Sequence, residues 1–165
     1  EGLGRVAGLQ AAQLLGGAVR TVRATEIEAL EQENVSASVS MLIGGQVAGR
    51  RLRLFMIYTA GNFIECAPDS PFLQIGEHKY GKPILDRVVT PATSLADAQK
   101  AVLLSMDSTL RSNLSVGMPL DLAVIERDAC AVTSRRRILD GDPDFMRMSA
   151  AWSAALRESF VKVGI

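Results

Sequence analysis

The sequence predicts an α+β fold in which strands and helices are grouped in separate runs along the chain. Hydrophobic periodicity gives the order helix, three strands, two helices, two strands, helix. This grouping is typical of α+β layering and differs from the strict alternation of a parallel βαβ sheet. With 165 residues, of which 48% are hydrophobic and 22% charged, we expect residues 1–165 to form a single globular domain.

The first element is an amphipathic helix over residues 3–23, because apolar residues recur there at helical spacing from Leu3 to Val22. Gly16 and Gly17 weaken this helix by about 1 kcal/mol each relative to Ala. Their small size also allows a neighbouring element to approach closely. The acidic residues 25–34 are compatible with a helical extension or with a surface loop.

Three short strands follow the helix. Residues 36–43 and 51–58 both alternate between two faces, which predicts a hairpin whose first strand ends at Gly44-Gly45. Residues 59–62 form a turn, and residues 63–66 make a third strand.

Two helices come next. Residues 80–89 place four apolar side chains on one face, with Pro83 in the first turn, where its missing N–H has no cost. Ser94 followed by Asp97 resembles a capping box, and it predicts a second helix over residues 95–110.

The last part of the chain predicts two strands and a final helix. Residues 119–126 are almost continuously apolar, which indicates a buried strand with residues 129–138 as its partner. A turn at 140–143 starts a helix over residues 144–163. Its apolar stripe is typical of a core face or a subunit interface, and it consists of Phe145, Met148, Trp152, Leu156 and Phe160.

The charge balance and the metal-ligating residues exclude several functional classes. Lys and Arg number 18, and Asp and Glu also number 18, so the net charge is zero. We expect no nucleic-acid partner, because affinity for nucleic acid depends on excess positive charge. Cys66 and Cys130 lie far apart, and His78 is the single histidine in the sequence. Structural zinc usually takes four Cys or His ligands, so we expect no metal and no cofactor.

The composition also predicts where the protein acts. Residues 34–49, the longest apolar-leaning stretch, are interrupted by Ser, Gln and a Gly-Gly pair. A helix that crosses a bilayer needs about 20 mainly apolar residues, so we expect no membrane partner. Because two widely spaced cysteines form no disulfide framework, we expect a cytoplasmic location.

The densest polar segment is the loop at residues 112–117, between a helix and a strand. Ser112, Asn113 and Ser115 offer two hydroxyls and an amide, which can orient a nucleophile or stabilise an oxyanion. The alternative is that these residues only shape the turn. His78 lies between Glu77 and Lys79 and is more typical of a surface or capping residue than of a catalyst.

Several sequence strings resemble the β-type subunits of the proteasome. The resemblance includes the Gly-Gly after an apolar strand at 42–45, the turn at 58–61, the loop at 74–86 and the strand at 117–125. The closer similarity is to Anbu, a bacterial family of proteasome-like peptidases. It extends over nearly the whole chain, with the most specific strings at residues 61–65, 75–87, 107–109 and 111–117.

The resemblance implies a four-layer αββα sandwich of the N-terminal nucleophile hydrolase type. In that family an exposed N-terminal Thr attacks the peptide carbonyl, and its own α-amino group, helped by a Lys and an Asp, handles the proton. The implied function is a threonine-type peptidase subunit that cleaves peptides or unfolded proteins within a homo-oligomer, either a ring or an open spiral. Glu1 has no hydroxyl group. We therefore expect this chain to be the C-terminal two-thirds of such a subunit, incomplete at the N-terminus and without the nucleophile.

The resemblance also implies which residues assist the nucleophile. Proteasome β subunits keep a Ser, an Asp and a second Ser near its α-amino group. Alignment on Asp121 without gaps places Asn113 at the Asp position and Val116 at the second Ser, and a shift of one residue gives Ser112 and Ser115 instead.

The first Ser falls near Glu77, and the Asp is absent in either alignment. We expect Ser112, Asn113 and Ser115 to act as orienting groups. The departures at these positions keep a non-catalytic structural subunit as the alternative.

Overall fold

The computed structural model describes residues 2–32 and 38–164, and its elements follow the predicted α+β order. These residues form two compact units: a sheet unit of residues 2–32, 38–76 and 124–134, and a helical unit of residues 77–123 with 135–164. The elements are α1 (Gly2–Gln32), β1 (Met41–Gly45), β2 (Arg53–Ile57), β3 (Phe63–Glu65), α2 (Lys82–Val88), α3 (Leu95–Ser112), β4 (Leu120–Val124), β5 (Ser134–Ile138) and α4 (Pro143–Lys162). The prediction of one domain over residues 1–165 stays a prediction.

Helix α1 is longer than predicted and includes the acidic segment up to Gln32. Gly16, the first residue of the glycine pair, lies against the turn between β2 and β3. A Cβ atom on Gly16 would lie 2.1 Å from the carbonyl oxygen of Gly61. Arg20 Nη1 donates a hydrogen bond to the same carbonyl at 3.0 Å. The small residue therefore allows α1 to rest directly on this turn.

The three-stranded sheet is antiparallel in the order β1-β2-β3. Its register runs from Met41 opposite Ile57 to Gly45 opposite Arg53. The strand ends at Gly45, so the predicted end at Gly44-Gly45 is confirmed, and both glycines pair with β2 within the strand. The strand tolerates Gly44 because the Leu54 side chain of β2 fills the space beside it. A Cβ atom on Gly44 would lie 3.2 Å from that side chain. The predicted strand start at 36 lies outside the described residues.

One face of β2 is buried, and α1 packs against this strand. Arg53, Phe55 and Ile57 are buried, while the residues between them are half-buried, as the predicted alternation requires. The Arg53 guanidinium donates to Glu65 Oε1 from Nε at 2.7 Å and lies 4.7 Å from the centre of the Phe55 ring. The hydrogen bond to Glu65 raises the pKa of the Arg53 guanidinium above its ordinary value.

In the helical unit, α3 begins at Leu95 as predicted, whereas α2 begins at Lys82, two residues after the predicted start. Pro83 occupies the first turn of α2, which follows Gly81. Ser94 caps α3: its Oγ accepts from the backbone N–H of Asp97 at 3.1 Å and donates to the Asp97 carboxylate at 2.8 Å. Ser94 is therefore confirmed as the cap of α3, whereas the reciprocal bond of the predicted box is made to the Ser94 hydroxyl and not to its backbone N–H.

Strands β4 and β5 form a two-stranded sheet whose burial differs from the prediction. In β4 only Leu120 and Val124 are buried, whereas Asp121 and Ala123 are exposed, so the strand is not enclosed on both faces. The predicted strand at 129–138 is shortened to Ser134–Ile138, and within it Ile138 is buried.

Helix α4 begins one residue before the prediction, at Pro143, with Asp142 as its cap. Phe145 packs with the buried residues of the two strands in a hydrophobic core, and Met148 lies against that core. The C-terminal half of the predicted apolar stripe does not contribute to this core. Leu156 is half-exposed, and Phe160 is 82% exposed. The stripe therefore begins as core and ends on the surface.

Candidate functional site

The end of α3 carries all three residues predicted for the site. Ser112 is the last residue of the helix, and Asn113 is its C-cap with an extended backbone at φ −137° and ψ 110°. The backbone N–H of Asn113 still donates to the Thr109 carbonyl at 2.9 Å. The chain then leaves the helix, so that Ser115 lies in the loop beyond it.

Two sets of contacts hold this end of α3 in place. Arg111 donates to the buried Asp107 one turn earlier at 3.2 Å, and its Nη2 donates to Ser149 Oγ of α4 at 2.6 Å. Leu110 packs against the hydrophobic core of the helical unit. The last turn of α3 is therefore fixed immediately before the polar loop begins.

A glycine positions the segment that faces the end of α3. Gly81 lies so close to α3 that a Cβ atom on it would be 2.8 Å from the Ser105 carbonyl oxygen and 3.1 Å from Thr109 Oγ1. The backbone N–H of Lys82 donates to the His78 carbonyl at 2.9 Å, which ties the start of α2 to the residues before it. This packing holds the loop with Glu77 beside α3.

Asn113 joins Glu77 and Ser115 in one hydrogen-bonded chain. Its Nδ2 donates to Glu77 Oε2 at 2.9 Å, and its Oδ1 accepts from Ser115 Oγ at 2.6 Å and from the Ser115 backbone N–H at 2.9 Å. The second bond to Oδ1 is the side-chain turn that Asn often forms. We call these three residues the Glu77–Asn113–Ser115 network.

Ser112 lies outside this network. Its side chain is exposed and has no hydrogen bond in the part of the chain that the structure describes. The structure therefore brings Asn113 and Ser115 together with Glu77, and it leaves Ser112 apart. The roles of all three predicted residues stay predictions.

Glu77 supplies the negative charge of the network. Its Oε1 accepts from the backbone N–H of Lys79 at 3.0 Å. This bond, followed by the bond from Asn113 and the positive charges of Lys79 and His78, lowers the pKa of the Glu77 carboxyl. The group is therefore a carboxylate at neutral pH, with both oxygens already oriented.

The network contains two groups with acceptor capacity left over. The Glu77 carboxylate has further lone pairs, and the Ser115 hydroxyl, whose proton is donated to Asn113, offers its own lone pairs. Such a pair can bind and orient a cationic amine. Among residues 2–32 and 38–164, no three His, Cys, Asp or Glu side chains are grouped closely enough to hold a metal ion.

The sequence did not identify Glu77 as a partner of Asn113. The two residues lie 36 positions apart, on a loop and at a helix end, so no local spacing connects them. The available signal was indirect, since the resemblance placed Glu77 and Asn113 at two positions that surround the same group in proteasome subunits.

Two cavities lie apart from the network. In the helical unit, a cavity of about 480 Å³ opens at the start of α3, between residues of α2 and Trp152 of α4. Its lining extends along α3 as far as Leu104, eight residues before Ser112, or roughly 12 Å along the helix axis. In the sheet unit, a cavity of about 240 Å³ is lined by α1, β1 and three arginines, Arg50, Arg51 and Arg53.

In the part of the chain that the structure describes, no helix is both long and apolar enough to span a bilayer. Cys66 and Cys130 are both free thiols.

Solved structures of three bacterial proteins are similar to this chain. Anbu from Hyphomicrobium sp. strain MC1 is 50% identical, with a TM-score of 0.85. Anbu from Yersinia bercovieri, described as an ancestral beta-subunit, is 43% identical with a TM-score of 0.87. The Anbu complex from Pseudomonas aeruginosa, described as a helical assembly, is 44% identical with a TM-score of 0.88.

Each comparison includes 95% of this chain, and the chain spans 63–65% of the length of those structures. No family model and no curated protein matches the sequence. The structural similarity confirms the predicted α+β fold of the N-terminal nucleophile hydrolase type.

Proposed function

This chain belongs to the Anbu family over the 95% of its length that aligns, and we propose from this that it forms part of a proteasome-like, threonine-type peptidase subunit. The proposed substrates are peptides or unfolded proteins, and the proposed location is the cytoplasm. The nucleophile is assigned to no residue of the chain.

The observation that carries this proposal is the Glu77–Asn113–Ser115 network. Its members stand at or next to the three positions where proteasome β subunits keep the groups around the nucleophile's amino end. In this protein the three side chains are connected by hydrogen bonds of 2.9 and 2.6 Å. A preorganised set of acceptors is what an N-terminal amine requires in order to be held in one orientation.

The proposed reaction is acyl transfer through an N-terminal Thr. The Thr hydroxyl oxygen forms a bond to the scissile carbonyl carbon, while its proton moves to the α-amino nitrogen. The carbon–nitrogen bond of the peptide then breaks, and that proton passes to the leaving amine. Water hydrolyses the resulting ester. In this scheme Ser115 orients the α-amino group, Asn113 orients it indirectly by holding Ser115 in place, and Ser112 lines the same loop.

The first test uses the protein expressed from its complete gene. We expect intact-mass and N-terminal sequencing to find Thr as the first residue, together with hydrolysis of unstructured fluorogenic peptides. A peptide epoxyketone, which reacts with both the hydroxyl and the amine of an N-terminal Thr, should label each chain once. Replacement of that Thr by Ala is the control and should abolish both signals.

A non-catalytic structural subunit is the second candidate. The observation in its favour is Asn113, a neutral amide at the position where the resemblance predicts a carboxylate. A mature protein that has no Thr at its N-terminus, hydrolyses no peptide and still assembles would support this candidate and contradict the peptidase.

We also propose that the protein acts as a homo-oligomer, with the exposed end of α4 as a contact surface between copies. Phe160, Val161 and Val163 are 82%, 83% and 73% exposed, which is unusual for a group of large apolar side chains on one segment. The helical assembly described for the Pseudomonas aeruginosa relative supports a second copy of the chain as the occupant of this surface.

Phe160→Ser should raise the protein concentration that assembly requires by at least about tenfold, because a Phe side chain buried at an interface contributes roughly 2 kcal/mol. Mass photometry over a dilution series measures the effect. The matched control is Leu139→Ser, which alters a 60% exposed apolar side chain of the same unit and should leave assembly unchanged. Equal assembly of the Phe160 variant and the wild type would show that this surface is not the interface.

A further inference from the structure

We propose that Glu77 supplies the negative charge that faces the nucleophile's α-amino group, in place of a carboxylate at position 113. This inference rests on the proposed function and names a positioning residue for it. The structure assigns the charge to the loop before α2, whereas the resemblance predicts it at the end of α3.

Asn113 is unsuited to the role because both ends of its amide are already engaged. The Oδ1 atom accepts two hydrogen bonds from Ser115, which use its two lone pairs. The Nδ2 group points to Glu77 and can only donate. The amide therefore holds Glu77 and Ser115 in fixed positions relative to each other and adds no charge.

Glu77 has the charge and the free acceptor capacity that Asn113 lacks. Each carboxylate oxygen accepts one hydrogen bond, from Lys79 N–H or from Asn113 Nδ2, and an oxygen of this type has a further lone pair. These two bonds fix the plane of the carboxylate. The charged groups that act on Glu77 are Lys79 and His78, both exposed and on its own loop. The end of α3 faces it with the neutral Asn113.

The network thus keeps the carboxylate of the proteasome arrangement at a different place, and an amide takes the place of one of the two hydroxyls. One carboxylate and one hydroxyl remain, with a neutral amide between them. A carboxylate beside an amine favours the protonated amine, so it raises the amine pKa and controls the pH at which the free base forms. Ser115 Oγ then accepts a second N–H of the same group.

The test measures the pKa of the N-terminal amine in the complete protein. Trace acetic anhydride acylates the free base, and mass spectrometry follows the extent of acylation against pH without any need for activity. We expect Glu77→Gln to lower the amine pKa by about one unit, because a neighbouring negative charge is lost. In peptide hydrolysis, the acid limb of the kcat/KM profile should move to lower pH by the same amount.

Asp97→Asn is the matched control. Asp97 is a second carboxylate of the helical unit with a pKa that its neighbours, Lys100 and Ser94, lower, but it lies at the opposite end of α3. This variant should change neither the amine pKa nor the acid limb.

The double variant Glu77→Gln/Asn113→Asp returns the carboxylate to the position that the resemblance predicts. We expect it to return the amine pKa to the wild-type value and to reverse at least half of the shift that Glu77→Gln causes in the acid limb. An unchanged amine pKa in Glu77→Gln overturns the inference, as does a double variant that folds and restores nothing. Absence of hydrolysis by the wild type overturns the proposed function separately, since the acylation measurement still reports whether Glu77 faces the amine.

Discussion

Gly81→Ala should destabilise the helical unit by about 2–3 kcal/mol, within the range for overpacked sites. The added methyl group would lie 2.2 Å from Ser105 Oγ and 2.8 Å from the Ser105 carbonyl oxygen. The hydroxyl can rotate away, but the carbonyl belongs to the backbone of α3 and cannot. At φ −91° the backbone itself suits Ala, and a less flexible unfolded chain would contribute about 0.4–1 kcal/mol in its favour. The steric conflict is the larger effect.

The same substitution should impair the site. Gly81 lies four residues after Glu77, and its packing on α3 sets the distance between that carboxylate and Asn113. Under the proposed function, peptide hydrolysis should fall with stability, by roughly tenfold or more, because small misplacements of positioning groups are costly.

Chemical denaturation and peptide hydrolysis of the complete protein check this prediction. Gly117→Ala is the control, since a Cβ atom there would meet nothing within 4 Å. If Gly81→Ala unfolds at the same denaturant concentration as Gly117→Ala, then α2 and α3 are not as closely packed as described.

Glu65→Gln should destabilise the sheet unit by about 3 kcal/mol. The Arg53 side chain is only 5% exposed, and the Glu65 carboxylate neutralises it through a bidentate pair. Removal of one partner from such a pair leaves a buried charge and typically costs about 3–5 kcal/mol. The carboxylate is 27% exposed, so water can reach part of the site and the lower end of this range applies.

Two comparisons isolate the buried charge as the cause. Glu158→Gln breaks an ion pair with Lys162 in which both side chains are about 70% exposed, and it should cost at most about 0.5 kcal/mol. Arg53→Met/Glu65→Leu removes both charges and should recover most of the loss, because apolar side chains can replace a buried pair. A Glu65→Gln protein as stable as Glu158→Gln, measured by urea denaturation, would contradict the prediction.

The sequence determined the elements whose signals are local. Ser94 and Asp97 predicted the start of α3, and Pro83 predicted the first turn of α2, because a cap and a proline act within one helical turn. The alternation in β2 correctly separated the buried side chains from the half-buried ones. The order of helices and strands, and hence the α+β class, followed from periodicity alone.

Only the tertiary structure decided how far each element extends and which distant residues meet. Gly44 and Gly45 remain in β1 because β2 pairs with them, and β4 is half-exposed because few elements cover it. The contact of Gly16 with Gly61 and the bond between Asn113 and Glu77 join residues 45 and 36 positions apart. Local spacing carries no information on such pairs, since they depend on how whole elements pack against one another.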